Sequence, residues 1–357
     1  MISRLVYLND RAAMRFRRRR LTFITGVHYV EKDNRHVEPV KEAFKRARIK
    51  AIQHMTACEG AQLRWAETSI TETVIAQVAR AVTVAPFTQT AESHSGADWI
   101  WWWVDGTSAY GMLVQAKRVT INQSGRWHFG FAYKAHGAAH TQRDVLFSAA
   151  AKLGLLPVYA LYLGTPDYRR RERCSSLHQT GRCLSCVKRA VSLAPALLAT
   201  DIGMDDASST YESSVALEDL WTPAGKPPLI PVVEEKLSPE LSHFLTTRQD
   251  GTGAVTRAMI DRVLQARFGQ FSAATASASP SRAGLHDMLG PIFRELPEDT
   301  MHGGVEYFPH LLDPLRHAPP GYVLDIESGT IDTAQLSSEM PESVAGVVVV
   351  RTPHHQG

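Results

Sequence analysis

Cysteine is scarce: four residues in a chain of 357, three of them within 13 positions. That is too few and too clustered for a disulfide framework, so a cytosolic compartment is expected. Long apolar runs are missing as well, none approaching the ~20 residues needed to cross a bilayer. The arginines Arg17–Arg20 precede Leu21–Val30 in the manner of an export leader, but Thr22, Thr25, His28 and Tyr29 interrupt the stretch. No small-residue cleavage site follows, so export is not expected. The phosphate-cradling patterns GxxxxGK[ST] and GxGxxG do not occur, which argues against a nucleotide-driven motor. His-Glu-x-x-His and Gly-x-Ser-x-Gly are absent too, and there is no internal repeat.

What is present is uneven in charge. The net charge is +3, yet residues 1–50 hold 14 Lys/Arg against 5 Asp/Glu, which leaves the remainder acidic. Residues 201–250 carry 10 acidic and 3 basic side chains, and residues 164–190 carry 7 basic against 2 acidic, among them Arg169, Arg170, Arg171 and Arg173. A basic stretch of this kind is either a contact for a phosphate backbone or a solvated surface loop.

Periodicity divides the chain. Residues 1–54 show little apolar pattern and are expected to be a disordered basic segment, an arm for nucleic acid, or a product of start-codon choice with Met55 as the start. From Glu67 to Val84 the spacing is helical, with Glu67, Ile70, Thr71, Val74 and Val78 on one stripe. Asp98–Val104 is aromatic and apolar, stops at the turn signal Asp105-Gly106, and pairs with Tyr110–Val119 as a hairpin. A second helix follows over 140–154, and then a buried strand over 155–163. Residues 55–200 thus form an α/β core with a Cys/His loop. Beyond it lie an acidic, Pro/Ser-rich region (201–284), with a short helix at 256–268 and a linker at 272–284, and a small C-terminal α/β segment (285–357). That last segment has an apolar turn at 285–293 and strands expected at 321–326 and 344–351.

The hairpin carries the chemistry. Side chains alternate along a strand, so Gln115 and Lys117 share a face, and Asp98 heads the neighbouring strand. A carboxylate from the first helix, Glu67 or Glu72, can lean over the same edge. Glu67 lies on the apolar stripe, where an ionised carboxylate is costly unless a cation meets it. Carboxylate, amide and ammonium grouped in this way suit Mg²⁺-assisted hydrolysis of a phosphodiester, in which hard oxygens hold the ion and the lysine stabilises charge.

Gly96-Ala97-Asp98-Trp99 and Val114-Gln115-Ala116-Lys117-Arg118, on a helix–hairpin–helix–strand frame, resemble the PD-(D/E)xK nuclease superfamily. The closer likeness is to its Mrr-like restriction endonuclease branch, which has the pattern Asp…Gln-x-Lys. The segment is also similar to an uncharacterised bacterial family with a Glu-Thr-x-x-Thr helix, a Gly-Ala-Asp-Trp strand and a Gln-Ala-Lys-Arg strand. The resemblance covers about 100 residues. It implies a restriction-endonuclease-like mixed sheet flanked by helices, and Mg²⁺ or Mn²⁺ held by Asp98, Gln115 and Glu67. Lys117 would be the catalytic lysine, with Glu67 or Glu72 as the helix acid. No proline precedes Asp98, and an amide at 115 brings the ion less negative charge than a second acid. The implied substrate is nucleic acid, DNA more than RNA, contacted by Arg118, Gln142, Arg169, Arg170, Arg171 and Arg173. No membrane partner is implied, a homodimer is allowed, and the biological setting would be restriction or antiphage defence. The alternative is a non-catalytic nucleic-acid-binding or interaction module on the same fold.

Two further features stay open at this level. Cys174, His178, Cys183 and Cys186 have ligand types for a structural zinc site, although isolated thiols are often small buried apolar groups. Trp99, Trp101, Trp102 and Trp103 either stack on bases or fill a buried strand, and the apolar run favours burial.

Overall fold

The structure, a computed structural model, describes residues 39–87, 98–121, 127–131, 133–134, 139–163, 165–171, 183–198, 210–211, 213–220, 239–263 and 311–352. Arg173, Cys174, His178 and the segments expected over 272–284 and 285–293 lie outside them.

Helix α1 (Val40–Gly60) buries Ala43, Phe44, Ala47, Arg48, Ala51 and Met55. These lie three to four residues apart and so share one face. This corrects the expectation for residues 40–54, which are neither tail nor lead-in. Phe44 is fully buried, with its ring 6.0 Å from those of Trp101 and Trp103. Arg48 reaches across the fold, its Nε donating to Glu218 Oε2 at 2.8 Å. Removing either partner would strand a buried charge at a cost of about 3–5 kcal/mol. Helix α2 (Glu67–Val78) buries Ile70, Val74, Ile75 and Val78. It stops six residues short of the expected end, because Thr83–Pro86 is strand β1.

Strands β2 (Asp98–Val104) and β3 (Ala109–Arg118) form the hairpin. Asp105 closes it: its Oδ1 accepts from the amides of Thr107 and Ser108 at 2.8 Å each. Beyond β3 a small pair, β4 (Thr120–Ile121) and β5 (Trp127–His128), stands apart from the main sheet. Helix α3 (Gln142–Leu153) starts from a capping box of Thr141 and Asp144 and ends at Gly154, which is left-handed with φ 63°. Strand β6 (Leu156–Tyr162) then pairs parallel with β3. Short helices α4 (Pro166–Arg171) and α5 (Leu184–Lys188) lead to β7 (Val191–Pro195) and β8 (Val215–Ala216).

After helix α6 (Pro239–Thr246) and a helix α7 over residues 251–263, the chain supplies β9 (Leu315–Arg316), α8 (Gly321–Ser328), α9 (Thr333–Glu339) and β10 (Val344–Arg351). The expected strand at 321–326 is therefore a helix. Pro320 precedes its first residue and Gly329, at φ 75°, ends it, a start and a stop that suit a helix.

The main sheet is mixed and eight-stranded, in the order β1-β10-β2-β3-β6-β7-β8, with β9 paired to β3. β10 lies between β1 and β2 and runs parallel to β2. The last described strand is thus an interior one, and the described residues of the C-terminal part belong to the same core as the hairpin. Described residues from all four expected segments join one buried apolar cluster, from Ala43 to Val350. Trp102 and Trp103 are fully buried within it, and truncating either to alanine would cost about 3–5 kcal/mol. Two hydrogen bonds tie the C-terminal part to the hairpin: Tyr110 Oη donates to the Leu311 carbonyl at 2.9 Å, and Trp102 Nε1 donates to Tyr322 Oη at 2.8 Å. Among the described residues no helix is long and apolar enough to cross a membrane.

Candidate active site

The register of the hairpin opposes Trp99 to Val114, so the next positions outward are Asp98 and Gln115. Gln115 Nε2 donates to Asp98 Oδ1 at 3.0 Å. Two residues along the same face, Lys117 is buried at 3% exposure, and its ammonium donates to Gln142 Oε1 at 2.6 Å. Gln142 is the first residue of α3, so the helix fixes the lysine head. The Tyr159 ring on β6 lies 5.9 Å from the same nitrogen. Glu67, at the first turn of α2, completes the group. Its Oε1 accepts from the Arg118 amide at 2.8 Å, docking the start of the helix on the end of β3. The helix dipole favours a carboxylate there.

Burial dominates the electrostatics. Asp98 is 1% exposed, and loss of solvent pushes its carboxyl up to about 7; the Gln115 hydrogen bond, the Lys117 charge and the Ser343 hydroxyl pull the other way. Burial also raises Glu67, against the Arg118 amide and the Lys117 and Arg118 charges. It lowers Lys117, which the charges of Glu67 and then Asp98 partly restore. Two acids and one ammonium therefore share a poorly solvated space in which each charge depends on the others.

The unsatisfied atoms are oxygens. Asp98 Oδ2 and Gln115 Oε1 are buried and make no hydrogen bond of good geometry; the nearby Ser343 hydroxyl favours the Asp98 charge but is itself unpaired. Orphaned hard acceptors are the donor chemistry that Mg²⁺ selects, so Asp98 and Gln115 fit that ion, and Glu67 is linked to them through Lys117, whose charge both acids feel. Among the described residues no three His, Cys, Asp or Glu side chains gather as a metal site. The set is two acids and an amide.

A cleft of about 600 Å³ opens over the group. Glu67, Lys117 and Gln142 form its inner end, and Arg64, Arg118, Thr120, His128 and Tyr133 lie around it. Asp98 and Gln115 sit behind this lining, buried. Arg118 is held in place, its Nη1 donating to the Trp65 carbonyl at 2.8 Å and its guanidinium 5.6 Å from the Trp65 ring. Arg64, His128 and Tyr133 were not singled out by the sequence. Arg64-Trp65 directly precedes the start of α2, which is a usable signal, whereas nothing local marks Tyr133.

The other expected site residues are placed as follows. Glu72 is exposed, on the side of α2 away from the buried stripe. Gln142, expected to contact nucleic acid, instead holds Lys117. Arg169 is buried at 5% exposure, so it does not present its guanidinium to a phosphate backbone. Arg170 and Arg171 lie on α4. Cys183 is half-buried and Cys186 buried. Trp101, Trp102 and Trp103 are core residues.

Two predictions arise here. On the nuclease expectation drawn from the resemblance, Glu67→Gln should abolish most cleavage, with Glu72→Gln close to wild type; kcat measured side by side checks this, and the reverse pattern would move the expected helix acid to Glu72. The second concerns pH. The Asp98 carboxyl titrates at about 7 in the fold against an ordinary 3.8. Stability from its proton is therefore complete below about pH 4 and is lost as pH rises through about 7. Urea unfolding of metal-free protein at about pH 5 and about pH 8 should show that loss, and Asp98→Asn should shrink it. An identical loss in the variant would assign the effect to other groups.

The matched family model begins and ends with the fold: it spans residues 40–351, from the first residue of α1 to the last of β10. No curated protein and no solved structure matches the chain. The model is described as a family of unknown function, DUF6615. With most of the chain inside that match, this protein belongs to the DUF6615 family.

Proposed function

We propose that the protein hydrolyses phosphodiester bonds in nucleic acid, DNA in preference to RNA, with Mg²⁺ or Mn²⁺ bound at Asp98, Gln115 and Glu67. The observation that carries this is the pair of buried, unsatisfied oxygens on Asp98 and Gln115, two residues along β3 from a buried lysine whose head is fixed at 2.6 Å by Gln142. A structural core has no use for such a group: each unsatisfied acceptor costs about 1–3 kcal/mol, and the buried acid and ammonium cost more. The arrangement is also the one that the PD-(D/E)xK resemblance implies.

When bound, the divalent ion would neutralise phosphate charge and make a water more acidic. The chain's own residues do the rest. Glu67 and Asp98 supply the negative charge that holds the ion. Lys117 stabilises the extra negative charge on the phosphoryl oxygens as the water oxygen bonds to phosphorus and the ester P–O bond breaks, the proton passing to the departing oxygen. Gln142 keeps the ammonium from swinging away, so no reorganisation is needed at the moment of reaction. Arg64 and Arg118 give the cleft a positive field for a polyanion. The cytoplasm is the proposed compartment, and antiphage defence the proposed setting.

A binding-only module on the same fold is the second reading. It is favoured by the closure of Asp98 behind the cleft lining. Incubation of labelled DNA and RNA with Mg²⁺, with Mn²⁺ and with EDTA separates the two. Ion-dependent cleavage is expected, and its absence for every ion and substrate would leave only binding.

A further inference from the structure

We propose that the cleft over Lys117 takes an unpaired nucleotide whose base stacks on Tyr133, so that the substrate is single-stranded or locally unpaired DNA rather than intact duplex. The chemistry of cleavage rests on the function proposed above, but the mode of binding does not.

Depth is the first observation. Lys117 is 3% exposed and Asp98 1%, whereas Tyr133 at the same cleft is 58% exposed. A volume of about 600 Å³ is that of a small-molecule pocket. Duplex DNA keeps its bases stacked inside a stiff rod and offers the cleft only its backbone, so no base of it reaches the Tyr133 ring without unstacking. A single strand is flexible and carries a base that can turn inward.

The second observation is how Tyr133 is held. Its carbonyl accepts from the Gln142 amide at 2.9 Å, and its amide donates to the Gly130 carbonyl at 3.2 Å. The residue that grips Lys117 thus also holds the backbone from which the exposed ring projects. The wall behind is packed: Phe129 stacks on Phe131 at 5.3 Å, and Phe131 on Tyr159 at 4.6 Å, so the segment that follows β5 is braced against β6. A tyrosine used only for packing would bury its ring. An exposed ring on a braced backbone, beside exposed Arg64, has the two parts that bind single strands: a stacking face and a cation for the phosphate.

The test uses the full chain and one fluorescent sequence prepared as a single strand, a blunt duplex, a duplex with a central unpaired bubble, and an RNA strand. Binding is read by anisotropy in EDTA and cleavage with Mg²⁺. The single strand and the bubble should bind at least about tenfold more tightly than the duplex and be cut in preference to it. Tyr133→Ala should weaken single-strand binding by about fivefold to about a hundredfold. It should raise KM to a similar extent with little change in kcat, and Tyr133→Phe should restore both constants. Equal binding of duplex and single strand, or a Tyr133→Ala protein with unchanged single-strand affinity, would overturn the proposal. If the duplex were still cut in that case, the nuclease assignment would survive alone. Tyr133-dependent single-strand binding with no cleavage by any ion would support the cleft proposal and overturn the nuclease. Tighter binding of the RNA strand than of the DNA strand would overturn the choice of DNA.

Discussion

Lys117→Met should lower kcat for ion-dependent cleavage by about a hundredfold to a thousandfold, the usual loss when one preorganised donor to a transition state is removed. Affinity for nucleic acid should fall only slightly. The ammonium is 3% exposed and committed to Gln142 at 2.6 Å, so it is a poor contact for a phosphate that is merely bound. Its worth lies in charge that develops during reaction, and such an interaction appears in kcat rather than in KM. Methionine keeps the buried volume, and the melting temperature checks that the fold survives. Lys117→Ala adds a cavity but should give the same kinetic pattern. If the lysine were one phosphate contact among many, its loss would reduce the salt dependence of binding by about one counterion, with no cleavage to lose.

Asp98→Asn should have the second large effect, and in two directions at once. Cleavage should become undetectable, because the carboxylate is the most buried candidate ligand and its Oδ2 has no other partner. Stability of the metal-free protein near neutral pH should hold or rise, because asparagine is neutral and still accepts the Gln115 hydrogen bond. A residue kept for packing would behave the opposite way, with stability falling and function following it. Mg²⁺ should raise the melting temperature of wild type, by about 2.7 kcal/mol of added stability at a hundredfold excess over Kd, and should leave Asp98→Asn unmoved. A variant that melts with an equal Mg²⁺ shift would show that the ion binds elsewhere.

Local pattern made the hairpin, α3 and β6 legible, because their periodicity and turn residues agree with their tertiary roles. The Asp98–Gln115–Lys117 grouping followed from strand alternation alone, and Glu67 stood out because it sat on an apolar stripe. α1 was hidden by its composition. Its buried face is largely Ala43, Ala47 and Ala51 with Arg48 among them, which gives little apolar contrast, and Arg48 is buried only because Glu218 lies 170 positions away. α8 reads locally as a strand because Tyr322-Val323-Leu324 is apolar and part β-branched, while Pro320 and Gly329, at its two ends, are the signals that decide for a helix. The strand character of 344–351 was plain, but its place beside Asp98–Val104 was not. A parallel partner some 240 residues away leaves no local trace. Tyr133 and His128 escaped because they follow β3 in a segment with little apolar pattern, and it is the fold that lines one cleft with them, Lys117 and Gln142.

The most direct test is a chelation and add-back experiment on wild type and Asp98→Asn side by side. Protein stripped with EDTA is offered one labelled single strand, and Mg²⁺ or Mn²⁺ is then titrated in. Wild type should be silent in EDTA and regain cleavage as the ion is added, while Asp98→Asn, folded and still able to bind the strand, should remain silent throughout. Cleavage that persists in EDTA, or that returns equally in both proteins, would contradict an ion-dependent site built on Asp98.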